Sequence, residues 1–378
     1  MAAGVGLPAV ATASRFTPPE PQAKPQAQKP ADALSYRVLG KTGLKVTTVG
    51  FGCMITSDGS VIERAADMGI NYFDTARGYS QGNNERMVGA ALKSKRKNLI
   101  LSTKSHGRTK QDALAELDKS LSELGTDYVD IWYLHALSRG SDITEELVDA
   151  QQTAKKAGKI RFAGVSTHGG QPDVIAALVK NPNMDVVLAA YNFTMDQQVK
   201  DAVASAAAAG KGVVAMKVMA GGFRRLKPGN KFYNTLKKDG AMVAALKWVI
   251  NDRNVHTTVP SITDVDQLED NFKCMQSKFS EQDQQILARH LEFLRPLYCR
   301  MCGACDGKCP KGVPVADVLR FLTYAEGYGQ FGLGRERFLE LPGEVANVRC
   351  KDCSECAIQC PNGVRVAQRL IRAQELFA

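Results

Sequence analysis

Short apolar runs rich in β-branched residues alternate with amphipathic stretches from about residue 34 to residue 277. The clearest amphipathic stretch carries Leu114, Leu117, Leu121 and Leu124, and their spacing by three and four residues predicts a helix with one buried face. Strands are predicted at 45–51, 71–75, 98–103, 128–134, 160–165, 185–190, 212–216 and 256–259. Helices are predicted at 60–68, 83–94, 110–124, 143–157, 171–180, 197–209, 240–251 and 264–276.

Eight strand–helix units in about 240 residues have the count and the length of a closed α/β barrel, the (β/α)8 or TIM barrel. An open doubly wound sheet is the alternative architecture, but no G-x-G-x-x-G motif follows the first predicted strand. The segment Gly50-Phe51-Gly52 is too short for that motif, and we interpret it as close backbone packing at the barrel mouth. We therefore expect the α/β barrel to span residues 34–277.

Four ionisable side chains lie at the ends of three successive predicted strands. Asp74 lies at the end of the predicted strand 71–75 and Tyr79 follows it, Lys104 comes directly after the strand 98–103, and His135 comes directly after the strand 128–134. In a parallel barrel the carboxyl ends of the strands meet at one face, which is where barrel active sites lie. The pattern predicts that these four side chains surround one pocket.

The four residue types suit the reduction of a carbonyl group, which needs a hydride donor and an acid for the developing alkoxide. Tyr79 can be that acid, although a free phenol has a pKa of about 10. We expect the ammonium of Lys104 to stabilise tyrosinate and bring this pKa toward neutrality, with Asp74 holding Lys104 charged. His135 can hydrogen-bond the substrate oxygen and orient it.

Cysteine usage is uneven, since eight of the ten cysteines fall between residues 299 and 360. A disulfide framework is unusual in a chain of 378 residues, so the cluster indicates metal ligation. Two copies of the spacing C-x2-C-x2-C-x3-C-P are typical of cubane iron–sulfur sites, whereas zinc, the alternative, more often uses paired C-x2-C knuckles. The cysteines are Cys299, Cys302, Cys305, Cys309, Cys350, Cys353, Cys356 and Cys360.

The chain after residue 278 has a helical pattern. A helix is predicted at 279–297 with Ser280 as its N-cap, a second at about 316–328 between the two cysteine motifs, and a third at about 364–376. We therefore expect residues 278–378 to form a small, mainly helical iron–sulfur domain.

The region 34–277 resembles the aldo-keto reductase family. The matching text includes Phe73-Asp-Thr-Ala-Arg-Gly-Tyr79, Ser102-Thr-Lys104, Leu134-His135, Gly164-Val-Ser166 and Val259-Pro-Ser261. The resemblance implies a TIM barrel that binds NADP(H) or NAD(H) across its mouth and acts on a small-molecule carbonyl or alcohol. By position it implies that Asp74, Tyr79, Lys104 and His135 are catalytic. It further implies cofactor contacts from Ser166 and Asn192 at the carboxamide, from Ser261, Gln267 and Asn271 near the adenosine, and from Lys217 after the seventh strand.

The cysteine-rich tail resembles a two-cluster [4Fe-4S] ferredoxin module. This resemblance implies that the fourth cysteine of each motif ligates the other cluster. Its long spacer favours the helical kind of ferredoxin domain. One cluster would then be held by Cys299, Cys302, Cys305 and Cys360, and the other by Cys350, Cys353, Cys356 and Cys309.

The chain departs from the reductase pattern after its last two barrel strands. Many members have a basic residue after the eighth strand, but this chain reads Ser261-Ile-Thr-Asp264, which leaves a 2′-phosphate without an obvious partner. The choice between NADP and NAD therefore stays open. Arg224, Arg225 and Lys227 either hold the pyrophosphate or form a solvated basic loop.

Three further residues near the predicted site have a plainer interpretation. His168, just after the fifth strand, either faces the pocket or is a loop histidine without a role, and we expect the latter. Cys53 and Cys274 are expected to be small buried hydrophobic residues.

The first 33 residues are predicted to lie outside the folded domains. Residues 1–14 are small and apolar and end in Ala11-Thr-Ala-Ser14, which is typical either of a trimmed twin-arginine export signal or of a terminus without function. Residues 15–33 are rich in proline and glutamine and are expected to be a disordered tether. The protein is then cytoplasmic, or exported to the periplasm if the first interpretation holds, and it has no membrane span.

The net charge of +10 at pH 7 fits an ordinary basic surface, a phosphate-bearing cofactor or an acidic redox partner protein. Nucleic acid is not an expected partner, because no basic stripe carries interleaved aromatics. The leading interpretation is an oxidoreductase that transfers hydride between a nicotinamide cofactor and a carbonyl, with two [4Fe-4S] clusters for electron transfer or structure. The alternative is an electron-transfer or redox-sensing protein whose barrel is catalytically silent.

Overall fold

The computed structural model describes Met1 and residues 34–222, 229, 231–237 and 240–378. The predicted signal-like segment and tether lie outside the described residues, apart from Met1. The same is true of Arg224, Arg225 and Lys227, so their predicted role stays a prediction.

Eight parallel strands form the centre of the fold, in sequence order from the first to the last. Isolated bridges between Val49 and Thr258 and between Gly52 and Ser261 join the first strand region to the last, so the sheet curls into a nearly closed barrel. The barrel strands are β3 (Phe51–Gly52), β4 (Tyr72–Asp74), β5 (Ile100–Ser105), β6 (Val129–Leu134), β7 (Ile160–Thr167), β8 (Val186–Ala190), β9 (Gly212–Met216) and β10 (Thr257–Thr258).

Helices follow the strands and pack around the barrel. Side-chain N-caps at Asp58, Thr109, Thr144, Asp196 and Asp264 accept hydrogen bonds from the first turn of their helices, which explains where these helices begin. The helices are α1 (Gly59–Asp67), α2 (Asn83–Leu92), α3 (Lys110–Leu124), α4 (Glu145–Lys156), α5 (Gln171–Lys180), α6 (Gln197–Ala208), α7 (Tyr233–Lys237), α8 (Ala241–Asn251) and α9 (Val265–Cys274). The predicted (β/α)8 barrel is confirmed.

The first predicted strand, 45–51, is wrong as a single element. Its first part, β2 (Lys45–Thr47), pairs antiparallel with an unpredicted strand, β1 (Tyr36–Val38), and only its last residue lies in the barrel strand β3. The interpretation of the glycines before and after Phe51 is confirmed. A Cβ added at Gly52 would lie 2.6 Å from the carbonyl oxygen of Val259, so this backbone contact requires glycine.

The chain after the barrel is helical, as predicted. α10 (Glu281–Leu294) begins at Ser280 with a capping box and packs its Ile286 and Leu287 on α8. α11 (Val315–Glu326) and α14 (Val366–Phe377) form a second apolar core together with α12 (Phe331–Leu339), and the short α13 (Gly343–Ala346) follows outside that core. The last two of these were not predicted. In the ranges that the structure covers, no helix is long and apolar enough to cross a bilayer.

Candidate active site and cysteine clusters

Three of the four predicted catalytic side chains meet at the carboxyl ends of β4 and β5. The Lys104 Nζ donates hydrogen bonds to Asp74 Oδ2 at 2.6 Å and to the carbonyl oxygen of Thr75 at 2.5 Å. The same Nζ lies 3.3 Å from the hydroxyl of Tyr79. The His135 ring, just after β6, stands edge-on to the Tyr79 ring with 6.0 Å between centroids. The structure therefore brings the four residues together.

The pair of Lys104 and Asp74 is almost fully buried. Burial lowers the pKa of Lys104, but the Asp74 carboxylate and the Tyr79 phenol outweigh it, so the pKa lies above its ordinary value. Burial also raises the pKa of Asp74, against the contacts with Lys104 and Ser102. The short, charge-assisted contact between the two favours the ionised form of both. Lys104 therefore places a positive charge beside Tyr79.

Burial raises the pKa of Tyr79 to about 12, although the charge of Lys104 works in the opposite direction. Lys104 does lower the pKa of Tyr79, as expected, but burial has the larger effect. The prediction that Lys104 would bring this pKa toward neutrality is therefore wrong for the protein without substrate or cofactor. A phenol with this pKa is protonated at neutral pH. Tyr79 thus holds a proton beside the cavity, where an alkoxide, which is a stronger base than tyrosinate, can take it.

His135 is neutral at physiological pH. Burial, followed by positive charge on neighbouring groups, holds its pKa well below the ordinary value, and its Nδ1 is buried without a hydrogen-bond partner in the described part of the chain. A neutral imidazole can donate one hydrogen bond to a substrate oxygen but has no proton to release as an acid. Of the two side chains, Tyr79 is therefore the better candidate for a proton donor.

The segment that carries Tyr79 is anchored on both sides. Arg77 forms a buried ion pair with Glu85 at 2.6 Å, and Glu85 also accepts a hydrogen bond from Thr103 on β5. After Tyr79, Ser80 and Gln81 have φ values of 47° and 53°, a region that non-glycine residues rarely adopt. The turn therefore has a fixed and unusual backbone that sets the direction of the phenol.

Beside these residues lies a cavity of about 310 Å³, which Asp74 and Tyr79 line directly. Lys217, Ser261 and Gln267, three of the predicted cofactor contacts, line it as well. His168 also faces this cavity, so the expectation that it has no place at the site is wrong. A larger groove of about 710 Å³ lies between α10 and residues 363–365, but it contains none of the four catalytic candidates.

The other three predicted cofactor residues are buried and do not line this cavity. Ser166 accepts a hydrogen bond from the backbone N–H of Ala136, and Asn192 donates to the carbonyl oxygen of Lys217. Asn271, on α9, has a buried Nδ2 without a partner among the described residues. An unpaired buried donor of this kind fits a ligand that supplies the missing acceptor.

The cysteine-rich segment also contributes to the barrel mouth, which the sequence did not indicate. Gly327 and Tyr328, directly after α11, line the same cavity as Tyr79. The Lys217 Nζ lies 5.3 Å from the ring centroid of Tyr324 on α11 and 5.8 Å from that of Tyr328. Motif analysis missed these tyrosines because they lie between the two cysteine motifs.

A second contact reaches the segment that carries Tyr79. Arg337 Nη2 lies 3.4 Å from the carbonyl oxygen of Gly78, and Gln81 Nε2 lies 3.3 Å from a carboxylate oxygen of Glu336. Arg337 and Glu336 both belong to α12, so the cysteine-rich segment contacts the turn on either side of Tyr79.

The eight cysteines fall into two groups in space. Cys299, Cys302, Cys305 and Cys360 line one cavity whose apolar wall includes Val315 and Leu319 of α11. Burial, followed by the nearby Cys353, Cys309 and Cys356, raises the pKa of Cys350, which places these four thiols together as the second group. These are the two sets that the ferredoxin resemblance implied.

The thiol environments fit a cluster better than a single ion. Backbone N–H of Met301 and the side-chain amide of Asn362 donate to the sulfurs of Cys299 and Cys302. Within the described ranges, no three His, Cys, Asp or Glu side chains converge closely enough to bind one metal ion. A [4Fe-4S] cubane needs a wider arrangement, because each thiolate binds a different iron atom.

Residues 57–292 match the model of the aldo/keto reductase family, and residues 298–364 match that of a 4Fe-4S dicluster domain. The chain belongs to the aldo/keto reductase family. This family of oxidoreductases uses NADPH or NADH, and here the reductase barrel is joined to an iron–sulfur domain.

Relatives cover much of the barrel. The uncharacterized oxidoreductase YqkF of Bacillus subtilis (strain 168) is 30% identical over 234 residues, which are 57% of this chain and 75% of that protein. L-galactose dehydrogenase of Arabidopsis thaliana is 29% identical over 308 residues, which are 70% of this chain and 95% of that protein. The holo form of aldo-keto reductase AKR11C1 from Bacillus halodurans superimposes with a TM-score of 0.59 at 27% identity, covering 68% of this chain and 96% of that chain.

Proposed function

We propose that this protein reduces a carbonyl compound, or oxidises the corresponding alcohol, by hydride transfer with Tyr79 as the proton donor or acceptor. The observation that carries the proposal is the contact of Lys104 with both Asp74 and Tyr79 at the wall of an open cavity. A barrel kept only for binding has no need to place a buried ammonium 3.3 Å from a phenol.

In the reductive direction, a reduced nicotinamide supplies a hydride, which carries two electrons, to the carbonyl carbon. The carbonyl π-bond breaks toward oxygen, and the O–H bond of Tyr79 breaks as its proton moves to that oxygen. Lys104 stabilises the tyrosinate that forms until solvent protonates it again. His135 donates a hydrogen bond to the same oxygen and orients the carbonyl group.

The residues that would hold the nucleotide follow from the cavity wall. Lys217, Ser261 and Gln267 face the cavity directly, and Asn271 offers its unpaired Nδ2 beside the adenosine end. By their positions in the family pattern, Ser166 and Asn192 would contact the carboxamide. The segment Ser261-Ile-Thr-Asp264 after β10 contains no basic residue for a 2′-phosphate, so NADPH and NADH should both be assayed.

We further propose that the two groups of cysteines each hold one [4Fe-4S] cluster, with Cys309 and Cys360 exchanged between the motifs. The spatial grouping and the N–H···S contacts support this assignment. Iron and acid-labile sulfide analysis should give about eight of each per chain, and Cys360→Ser should remove about half.

The test of the hydride-transfer proposal is the oxidation of NADPH and NADH by a panel of aldehydes and ketones, with anaerobically purified holoprotein. Tyr79→Phe should lower kcat about 10²–10⁴-fold and leave the nucleotide Kd unchanged, since only the proton donor is lost. Tyr36→Phe, on the hairpin and 37% exposed, is the matched control. Retained turnover in Tyr79→Phe refutes the mechanism.

Electron transfer is a second candidate function, and one contact favours it. The hydroxyl of Tyr298 lies 3.3 Å from Asn192 Nδ2, and Tyr298 directly precedes Cys299 of the first cysteine group. A cluster at Cys299 would therefore lie close to the proposed nicotinamide site. If no carbonyl is reduced while the clusters still undergo reversible reduction by a chemical reductant, this second function is the better one.

A further inference from the structure

α11 of the cysteine-rich segment turns one face toward the reductase cavity. Arg320 and Tyr324 are four residues apart and therefore lie on the same side of this helix. The Tyr324 ring packs beside Lys217, and Tyr328, just beyond the helix, lines the cavity itself. Residues outside the barrel thus complete the wall next to the catalytic centre.

A small side pocket opens where this face meets the barrel. It shares His168, Lys217 and Tyr328 with the main cavity, and Arg320 forms part of its wall. Its free volume is about 10 Å³, which is the room that one oxygen-sized group needs. A substrate in the main cavity can therefore extend a single small polar group into this pocket.

Three cations, Lys217, Arg300 and Arg320, line the side pocket, together with Cys299, which would be a thiolate as a cluster ligand. Lys104 is matched by Asp74, but in the described part of the chain no carboxylate pairs with Lys217, which contacts only tyrosine rings and a phenol. Arg320 contacts Asp317 at 2.7 Å, yet the Asp317 side chain is 43% exposed, so solvent screens the pair and it binds weakly. The charges of Lys217 and Arg320 therefore still act on the pocket.

Buried polar atoms near the pocket also lack hydrogen-bond partners. Arg320 Nε, His168 Nδ1 and His135 Nδ1 are buried, and none of them has a hydrogen-bond partner among the described residues. Burial, followed by the charges of Lys217 and Arg320, holds the pKa of His168 well below its ordinary value. Burial raises the pKa of Tyr324, but the same two cations outweigh it and leave it below the ordinary value. The lowered pKa of Tyr324 therefore shows that the two cations outweigh burial here.

We propose that this side pocket receives one oxygen of a carboxylate of the carbonyl substrate, whose remainder lies in the main cavity, with Arg320 of the iron–sulfur domain and Lys217 of the barrel supplying the charge. The assignment rests on the proposed reductase function and names its substrate class as carbonyl compounds that carry an anionic group. Guanidinium groups suit carboxylates because their N–H groups form strong, charge-assisted hydrogen bonds with carboxylate oxygens. A site with unpaired buried donors also discriminates against uncharged analogues.

A phosphate of the nucleotide has similar chemistry and is the competing occupant. The position of Arg320 favours the substrate. The charge of Arg320 acts on His135 and His168, which lie beside the reacting centre. The proposed adenosine contacts, Ser261 and Gln267, do not line the side pocket.

The experiment compares 4-carboxybenzaldehyde with 4-methylbenzaldehyde, which have similar shape and differ in charge. The native holoprotein should favour the charged aldehyde in kcat/KM, and Arg320→Met should lower the charged-to-neutral ratio about 10–100-fold, the effect of one charge-assisted hydrogen bond. Arg320→Lys should give an intermediate ratio. Arg335→Met removes the same charge from an exposed position on α12 and should leave the ratio unchanged. Equal visible absorbance of the clusters in all variants shows that the domain is intact.

A second readout does not depend on turnover. 4-Methylbenzoate, which cannot be reduced, should bind the nucleotide-saturated protein by calorimetry, and Arg320→Met should weaken this binding about 10–100-fold. An unchanged aldehyde ratio, or no preference of the native protein for the charged aldehyde, overturns the proposal. A weaker nucleotide Kd with an unchanged ratio also overturns it and assigns Arg320 to the cofactor. If neither aldehyde is reduced but 4-methylbenzoate binds through Arg320, the reductase function fails and the anion pocket stands.

Discussion

Replacing Asp74 with asparagine leaves a buried ammonium without its counter-charge. The Lys104 side chain is 1% exposed, and Asp74 is the one carboxylate in contact with it in the part of the chain that the structure describes. After the substitution, Lys104 keeps only dipolar partners, the carbonyl oxygen of Thr75 and the hydroxyl of Tyr79. Breaking a buried ion pair in this way costs about 3–5 kcal/mol of unfolding free energy.

The double variant Asp74→Asn with Lys104→Met tests this reasoning further. It removes both charges, and methionine fills most of the volume of the lysine stem. Because no unpaired charge is then buried, the double variant should be about 2–3 kcal/mol more stable than the sum of the single changes predicts. Ser102→Ala is the control, since it keeps both charges and removes the 2.7 Å hydrogen bond that Ser102 donates to the Asp74 carboxylate, together with its longer contact to the Tyr72 hydroxyl. It should cost about 1.5–3 kcal/mol.

The assay is urea unfolding followed by fluorescence, under anaerobic conditions and with equal cluster content in each variant. The two tryptophans of the chain, Trp132 on β6 and Trp248 on α8, both report on the barrel. A loss of less than about 1 kcal/mol in Asp74→Asn, or additive single changes, would show that the buried ammonium does not depend on Asp74.

Three further predictions concern other parts of the molecule. His290 is buried between aromatic rings, and burial lowers its pKa to about 4, so it is neutral in the folded protein. In the unfolded chain this histidine binds a proton below about pH 6.5. The free energy of unfolding should therefore fall by about 3 kcal/mol as the pH is lowered from about 6.5 to about 4. His290→Phe should remove this part of the acid sensitivity in urea titrations, and an unchanged pH profile contradicts it. Tyr298→Phe removes the hydroxyl beside Asn192 and should weaken nucleotide binding about 3–10-fold in fluorescence titration. An unchanged nucleotide Kd would show that this contact does not position Asn192. Gly327→Ala places a Cβ onto a backbone oxygen of the barrel and should lower kcat/KM at least about tenfold with unchanged iron content. Gly332→Ala is the control, because open space surrounds its added Cβ, and it should not lower kcat/KM. Equal activity of the two variants means that the α11 junction is not needed for turnover.

The barrel and its catalytic candidates were predictable from local patterns. The helix predicted at 110–124 is Lys110–Leu124, and the strand predicted at 212–216 is Gly212–Met216, because each element repeats its buried positions with its own period. Lys104 and His135 were found for a related reason. A residue at the carboxyl end of a strand in a parallel barrel has its position decided once the strand count is known.

The tertiary structure alone decided what surrounds that centre. Nothing local to α11 shows that its Arg320 and Tyr324 face a cavity of another domain, because a helix period identifies a buried face but not the surface that covers it. The same limit explains why His168 was expected to have no place at the site. The pKa of Tyr79 likewise depends on how deeply the packed barrel removes the phenol from water, which the order of residues does not contain. The sequence by itself determined the elements and the chemistry at the strand ends, while long-range packing determined the charge and the shape of the pocket they share.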